Sequence, residues 1–83
     1  MHVQWSKDAL LALRRCDKRD LVKAKVAMLA DDPESLAANV KRLSGSDYYR
    51  LRVQNWRVIF RYEGKLLVVD QILPRGSAYE VKR

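Results

Sequence analysis

The stretch YYRLRVQNWRVIF, Tyr48 to Phe60, decides how this chain folds. Apolar and polar residues alternate through it with the period of two that marks extended backbone, and Gln54-Asn55 interrupts the alternation near its centre. Asparagine tolerates positive φ, so the dipeptide reads as the two-residue loop of a β-hairpin. Val53 then pairs with Trp56, Arg52 with Arg57, Leu51 with Val58, Arg50 with Ile59 and Tyr49 with Phe60. Side chains opposite each other across a ladder share a face. One face therefore carries Tyr49, Leu51, Val53, Trp56, Val58 and Phe60, an apolar surface that must be covered. The other carries Arg50, Arg52, Arg57, Ile59 and, further on, Arg61. Like charges directly across a ladder destabilise it. One arginine there would merely keep a solvent face soluble; three that converge are better explained by an anion they hold.

The elements around the hairpin follow from local signals. HVQW at 2–5 alternates and reads as a short strand. Ser6 is placed to cap a helix, with Asp8 in the first turn where the helix dipole favours it. Ala9, Leu10, Leu13 and Cys16 fall along one side of that helix. Asp17 or Asp20 caps a second helix through about Ala30, whose apolar stripe is Leu21, Val22, Val26, Met28 and Leu29. Lys25 lies inside the stripe, so it must snorkel outward or face a partner. Asp31-Asp32-Pro33 stops the helix, because proline disfavours helical backbone in the residue before it. Residues 34–47 read as loop with one helical turn, anchored by Leu36, Val40 and Leu43.

Strands at 48–53, 56–63 and about 65–73 complete the chain, the last two joined at Glu63-Gly64 with or without Lys65. With the shorter loop Asp70 lies opposite Arg57; with the longer it faces the other way. The order is β-α-α-β-β-β, an α+β fold with a helical hairpin packed on one face of a largely antiparallel four-stranded sheet. Residues 1–83 form a single domain in this reading.

Composition narrows the function. The chain is 48% apolar and 33% charged, which is globular composition, and its net charge is +7. Residues 1–47 carry nine Lys/Arg against seven Asp/Glu, whereas 48–83 carry eight against three. Such a lopsided excess favours a polyanionic partner. Cys16 is the sole cysteine, so no internal disulfide forms and a reducing, cytoplasmic location is expected. The longest apolar run is LLVV at 66–69, and MHVQWSKD lacks the layout of a signal peptide. His2 is the sole histidine, and no Cys/His cluster, carboxylate triad or phosphate-cradling loop occurs, so no metal or cofactor is expected.

After the last strand comes LPRGSAYEVKR, which puts Arg75 and Tyr79 within reach of the basic face. Guanidinium groups hold phosphates bidentately, and a tyrosine ring stacks on an unpaired base. At these residues a resemblance emerges. KRLSG leading into YYRLRV, then NWRVIFRY, then LLVVDQILPRGSAYE, in that order, is similar to the RelE/ParE superfamily of toxins from bacterial and archaeal toxin–antitoxin modules. The similarity spans nearly the whole chain.

The resemblance implies a fold of the RelE type and one of two activities, mRNA cleavage in the ribosomal A site (RelE-like) or poisoning of DNA gyrase (ParE-like). RelE-like nucleases carry basic residues at positions matching Arg50, Arg52, Arg57 and Arg75 and a tyrosine matching Tyr79, a set that ParE-like members generally lack. The resemblance thus implies the nuclease branch, held inactive in a hetero-oligomer with a cognate antitoxin. Two positions depart from the pattern: Pro74 stands where some relatives have histidine, and the chain ends at Arg83, leaving little room for a C-terminal helix.

Metal-independent RNA cleavage must deprotonate a 2′-OH, stabilise the phosphorane and protonate the 5′-oxygen. The expected roles are catalysis by Arg57, Arg75 and Tyr79, backbone positioning by Arg50 and Arg52, and ribosomal RNA contacts by Lys41 and Arg42. Arginine is a poor proton donor, its pKa lying above about 12. Such an enzyme depends on a substrate positioned by the ribosome. A gyrase inhibitor and a non-catalytic RNA-binding module are the alternatives.

Overall fold

The computed structural model describes residues 1–76. Strand β1 (His2–Trp5) leads into helix α1 (Lys7–Arg15) and helix α2 (Arg19–Asp31). A short 3-10 turn (Ala37–Asn39) then precedes β2 (Val40–Arg42), β3 (Tyr49–Val53), β4 (Trp56–Glu63) and β5 (Leu66–Pro74). The strands form one sheet in the order β1-β5-β4-β3-β2, with β1 parallel to β5 and every other pair antiparallel. The α+β class, the helical hairpin and the largely antiparallel sheet stand as read from the sequence. The strand count is five rather than four. Val40–Arg42, expected within a loop, pairs with Leu51, Arg50 and Tyr49 at the sheet edge. Three residues are too few for alternation to stand out from loop sequence.

Local chemistry sets the element boundaries. The Ser6 hydroxyl accepts the Ala9 N–H at 3.0 Å and caps α1, with Asp8 in the first turn and Arg14 and Arg15 in the last, all favourable to the helix dipole. Helix α2 has Lys18 at its N-cap and no side-chain capping bond. Of the two expected caps, Asp20 lies inside the first turn and Asp17 instead accepts the Trp56 indole N–H at 3.0 Å. At the far end the Asp32 carboxylate accepts the Glu34 N–H at 3.1 Å and the Asp32 carbonyl accepts the Ser35 hydroxyl at 2.7 Å, turning the chain out of the helix.

One core lies between the helices and the sheet. Ala9, Leu13 and Cys16 from α1 and its end, and Val22, Val26, Leu29 and Ala30 from α2, pack on Leu51, Val53, Val58, Phe60, Leu67, Val69 and Ile72. Leu10 and Met28, expected in the helical stripes, are 46% and 45% exposed. Each sits about 100° around its helix from a buried neighbour, which carries it off the packed face. Tyr49, Phe60 and Tyr62 extend the core as an aromatic cluster with centroids 5.4–5.6 Å apart.

The β3–β4 register is the one read from the sequence at all five pairs. Its loop differs in detail: the positive φ falls on Gln54, at 51°, rather than on Asn55. The β4–β5 register departs from both expected versions. The loop is Gly64-Lys65, since Glu63 pairs with Leu66. A β-bulge then inserts Asp70, so that Phe60 pairs with Val69 but Ile59 with Gln71 and Arg57 with Leu73. Asp70 is therefore not the residue across from Arg57. Ser6 binds both sides of this bulge, its N–H donating to the Val69 carbonyl at 2.9 Å and its hydroxyl to the Asp70 carbonyl.

Candidate anion-binding site

The sheet face turned away from the helices gathers the predicted cations in two adjacent rows. In one, Lys41 of β2 lies opposite Arg50, which lies opposite Ile59, which lies opposite Gln71. In the next, Arg52 lies opposite Arg57 and Arg57 opposite Leu73. Partners across a ladder have Cβ atoms roughly 5 Å apart, so four cations converge within the span of two residue rows. Among the described residues, no carboxylate stands across from any of the four.

These cations differ in setting. Arg50 and Arg57 are half-buried, while Arg52 and Lys41 are exposed. Strand β2 reaches only as far as Val40 opposite Leu51, so among the described residues Arg52 has no neighbour on that side of β3. Arg57 is the outlier: its Nη1 is buried and has no hydrogen-bond partner among the described residues. A buried donor left unmade costs about 1–3 kcal/mol. Beneath the guanidinium groups is an apolar floor, because Ile59, on this same face, is 1% exposed. Charges above an apolar floor are screened less than charges in bulk water.

Two neighbouring arginines are committed elsewhere. Arg61 is joined to Glu63, whose hydrogen bond and charge hold its pKa above the ordinary arginine value. Arg42 pairs with Tyr49 rather than Arg50, so alternation turns it to the other face. There its Nε donates to the Ser46 carbonyl at 3.1 Å and its guanidinium lies 4.0 Å from Asp47. Lys41 thus joins the cationic rows and Arg42 does not.

Arg75 follows β5 at the end of the sheet, its N–H bonded to the Asn55 carbonyl at 2.7 Å. Two residues beyond Leu73, it is about 7 Å along the strand from the Arg57 row. It lines a cavity of about 510 Å³ with Arg15, Asp17, Lys18, Gln54, Asn55, Trp56 and Pro74. Tyr79 lies outside the described residues. Sequence reasoning missed this cavity, although a half-buried tryptophan whose N–H needs an acceptor was a usable signal. A second cleft, of about 310 Å³, has Leu21, Leu36, Leu51 and Val53 among its walls. Lys25 and Arg52 line it too, so the lysine within the α2 stripe opens onto this cleft.

Among the described residues, no cluster of three or more His, Cys, Asp or Glu side chains is positioned to hold a metal ion. No helix among them is long and apolar enough to cross a membrane.

A family model described as the ParE toxin of the type II toxin–antitoxin system parDE matches residues 3–79. Among curated proteins, none matches the chain by sequence. Solved structures match across most of the fold. The archaeal RelE–RelB complex from Pyrococcus horikoshii OT3 aligns with TM-score 0.75 and 26% identity, covering 93% of this chain and 97% of that one. The intact E. coli RelBE toxin–antitoxin complex aligns with TM-score 0.72 and 18% identity, covering 93% and 98%. An H87Q mutant of E. coli YafQ aligns with TM-score 0.67 and 21% identity, covering 87% and 90%.

Proposed function

The chain belongs to the ParE toxin family of type II toxin–antitoxin systems, and from that premise we propose that it is a ribosome-dependent endoribonuclease that cuts mRNA in the A site. The observation that carries this is the pairing of Lys41, Arg50, Arg52 and Arg57 on one sheet face, with a buried Arg57 nitrogen that no described residue satisfies. A scissile phosphodiester supplies the negative charge that none of the residues paired across from these cations provides.

In this reading each group has its own task. Arg50, Arg52 and Lys41 hold the RNA backbone across the two rows. Arg57 donates to a non-bridging oxygen as charge builds on the phosphorane, where a fixed donor over an apolar floor acts most strongly. Arg75 approaches from the end of the sheet and shares that charge. Tyr79 stacks on the nucleotide beside the 2′-OH and assists its deprotonation. Arginine releases protons poorly, so the ribosome supplies the in-line geometry and isolated RNA is cut slowly.

A cognate antitoxin binds the chain in a hetero-oligomer. The family description and the toxin–antitoxin complexes among the structural relatives support this.

A second reading has its own observation: the matching family model is the ParE one. On that reading the chain poisons DNA gyrase and the basic face is incidental. Mapping mRNA 5′ ends after induction, beside a plasmid supercoiling assay, separates the two. New ends at A-site codons that vanish with Arg57→Ala support the nuclease. Unchanged mRNA with altered supercoiling and undiminished Arg57→Ala toxicity supports gyrase poisoning.

A further inference from the structure

The cavity at the end of the sheet is not accounted for by the chemistry above. Its walls come from three separate parts of the chain: the turn between α1 and α2, the Gln54-Asn55 loop, and the residues that leave β5. Arg15, Lys18 and Arg75 supply three positive charges and Asp17 one negative. Arg15 and Lys18 are exposed, and neither forms an ion pair among the described residues. Asp17 accepts the Trp56 indole N–H at 3.0 Å, which holds a ring that both lines the cavity and packs on the core. At about 510 Å³ the space falls in the range of roughly 300–1,000 Å³ usual for small-ligand sites.

A fixed aromatic ring beside cations that outnumber the one carboxylate is the combination that binds single-stranded nucleic acid, with a base on the ring and phosphates on the cations. An acidic peptide would satisfy the cations but leave the indole without a role. We propose that this cavity is a second RNA subsite, seating one nucleotide next to the phosphodiester held on the sheet face. Its base lies on Trp56 and its phosphate between Arg15, Lys18 and Arg75. The continuity runs around the end of the sheet: Trp56 and the turn between α1 and α2 lie on the helix side, and Arg75, which borders the cavity, stands two residues along β5 from the residue opposite Arg57 on the other side. The subsite rests on the reading of the chain as an RNA-binding toxin, but it needs no cleavage and is tested separately.

The two tryptophans make the test internal, because Trp5 lies on β1 and does not line the cavity. Their indole N–H signals are followed in ¹H–¹⁵N spectra of the isolated protein during titration with a single-stranded tetranucleotide whose 2′-O-methyl riboses block cleavage. The Trp56 signal should move saturably while that of Trp5 stays in place. The exposed double variant Arg15→Ser/Lys18→Ser should bind about ten-fold more weakly, and Trp56→Leu roughly 5- to 150-fold more weakly, the range of one lost base stack.

A Trp56 signal unmoved by RNA overturns the proposal. So does an equal movement with inorganic phosphate alone, which marks a bare anion site. Movement with an acidic antitoxin peptide but not with RNA overturns it as well, assigning the cavity to the partner. If no mRNA is cut in cells yet the Trp56 signal moves as expected, the nuclease assignment falls and the subsite stands. If mRNA is cut and the signal is silent, the reverse holds.

Discussion

Replacing Arg57 with methionine should make the protein more stable and less active. Methionine keeps an unbranched stem over Ile59 but removes the buried Nη1 that no described residue satisfies. Relief of that donor is worth about 1–3 kcal/mol. Ending the like-charge opposition to Arg52 adds up to about 1 kcal/mol at low salt. Against this stands imperfect packing of the thioether, so the net gain is about 1–3 kcal/mol. In a chain of 83 residues each kcal/mol raises Tm by about 4–8 °C, which predicts a rise of roughly 4–24 °C. Urea denaturation followed by circular dichroism should show a higher midpoint with an unchanged slope. Phosphate should stabilise the natural protein more than the variant, because a ligand that binds only the folded state adds stability in proportion to occupancy. Cleavage of ribosome-bound mRNA should fall by about 10²–10³, the usual cost of one preorganised donor. If Arg57→Met unfolds at lower urea, or cuts mRNA as fast as the natural protein, then Arg57 is a structural residue and the proposed site is wrong.

Other expectations test the frame around the site. Phe60→Ala should cost about 3–5 kcal/mol, since the ring is fully buried, stacks on Tyr49 and meets Tyr62 edge-on; a loss of less than 1 kcal/mol in urea would show that the core repacks. Gln54→Gly should raise Tm by a few degrees, because a non-glycine residue at φ 51° gives up about 1–2 kcal/mol and glycine's extra chain entropy returns only about half. A fall in Tm would place the strain elsewhere. Burial, and then the neighbouring Tyr49, raises the Tyr62 pKa above its ordinary value near 10. The neutral phenol is thus favoured in the folded state. Its contribution to stability is fully present below about pH 10 and is lost as pH rises through the higher folded value. Tyr62→Phe should flatten this alkaline decline; an unchanged slope of stability against pH above 10 would refute the assignment.

The sequence spoke clearly where one signal had one cause. The alternation of 48–60 around a two-residue loop left one register that buries Leu51, Val58 and Phe60 together, and that register is the one observed. Ser6 likewise could do little but cap α1. Where two groups competed for one partner, the sequence was ambiguous. Asp17 looked like a helix cap, but an indole N–H some 39 residues away takes its carboxylate instead. Asp70 could not be placed from loop length, because an insertion inside the strand resets the pairing downstream of it. The cationic face was readable because its arginines lie on adjacent strands; the cavity was not, because segments remote in sequence build it.

The inserted residue on β5 has a wider meaning. An uninterrupted ladder would place Asp70 across from Ile59, among the cations, and would turn Ile72 out of the interior. One extra amino acid prevents both at once, and leaves every arginine on β3 and β4 untouched. Flattening that irregularity, with the strand at its present length, would bring a carboxylate among the cations and turn an aliphatic side chain out of the interior, with no substitution anywhere. The polarity of this surface is thus governed by where a neighbouring strand takes up its spare residue.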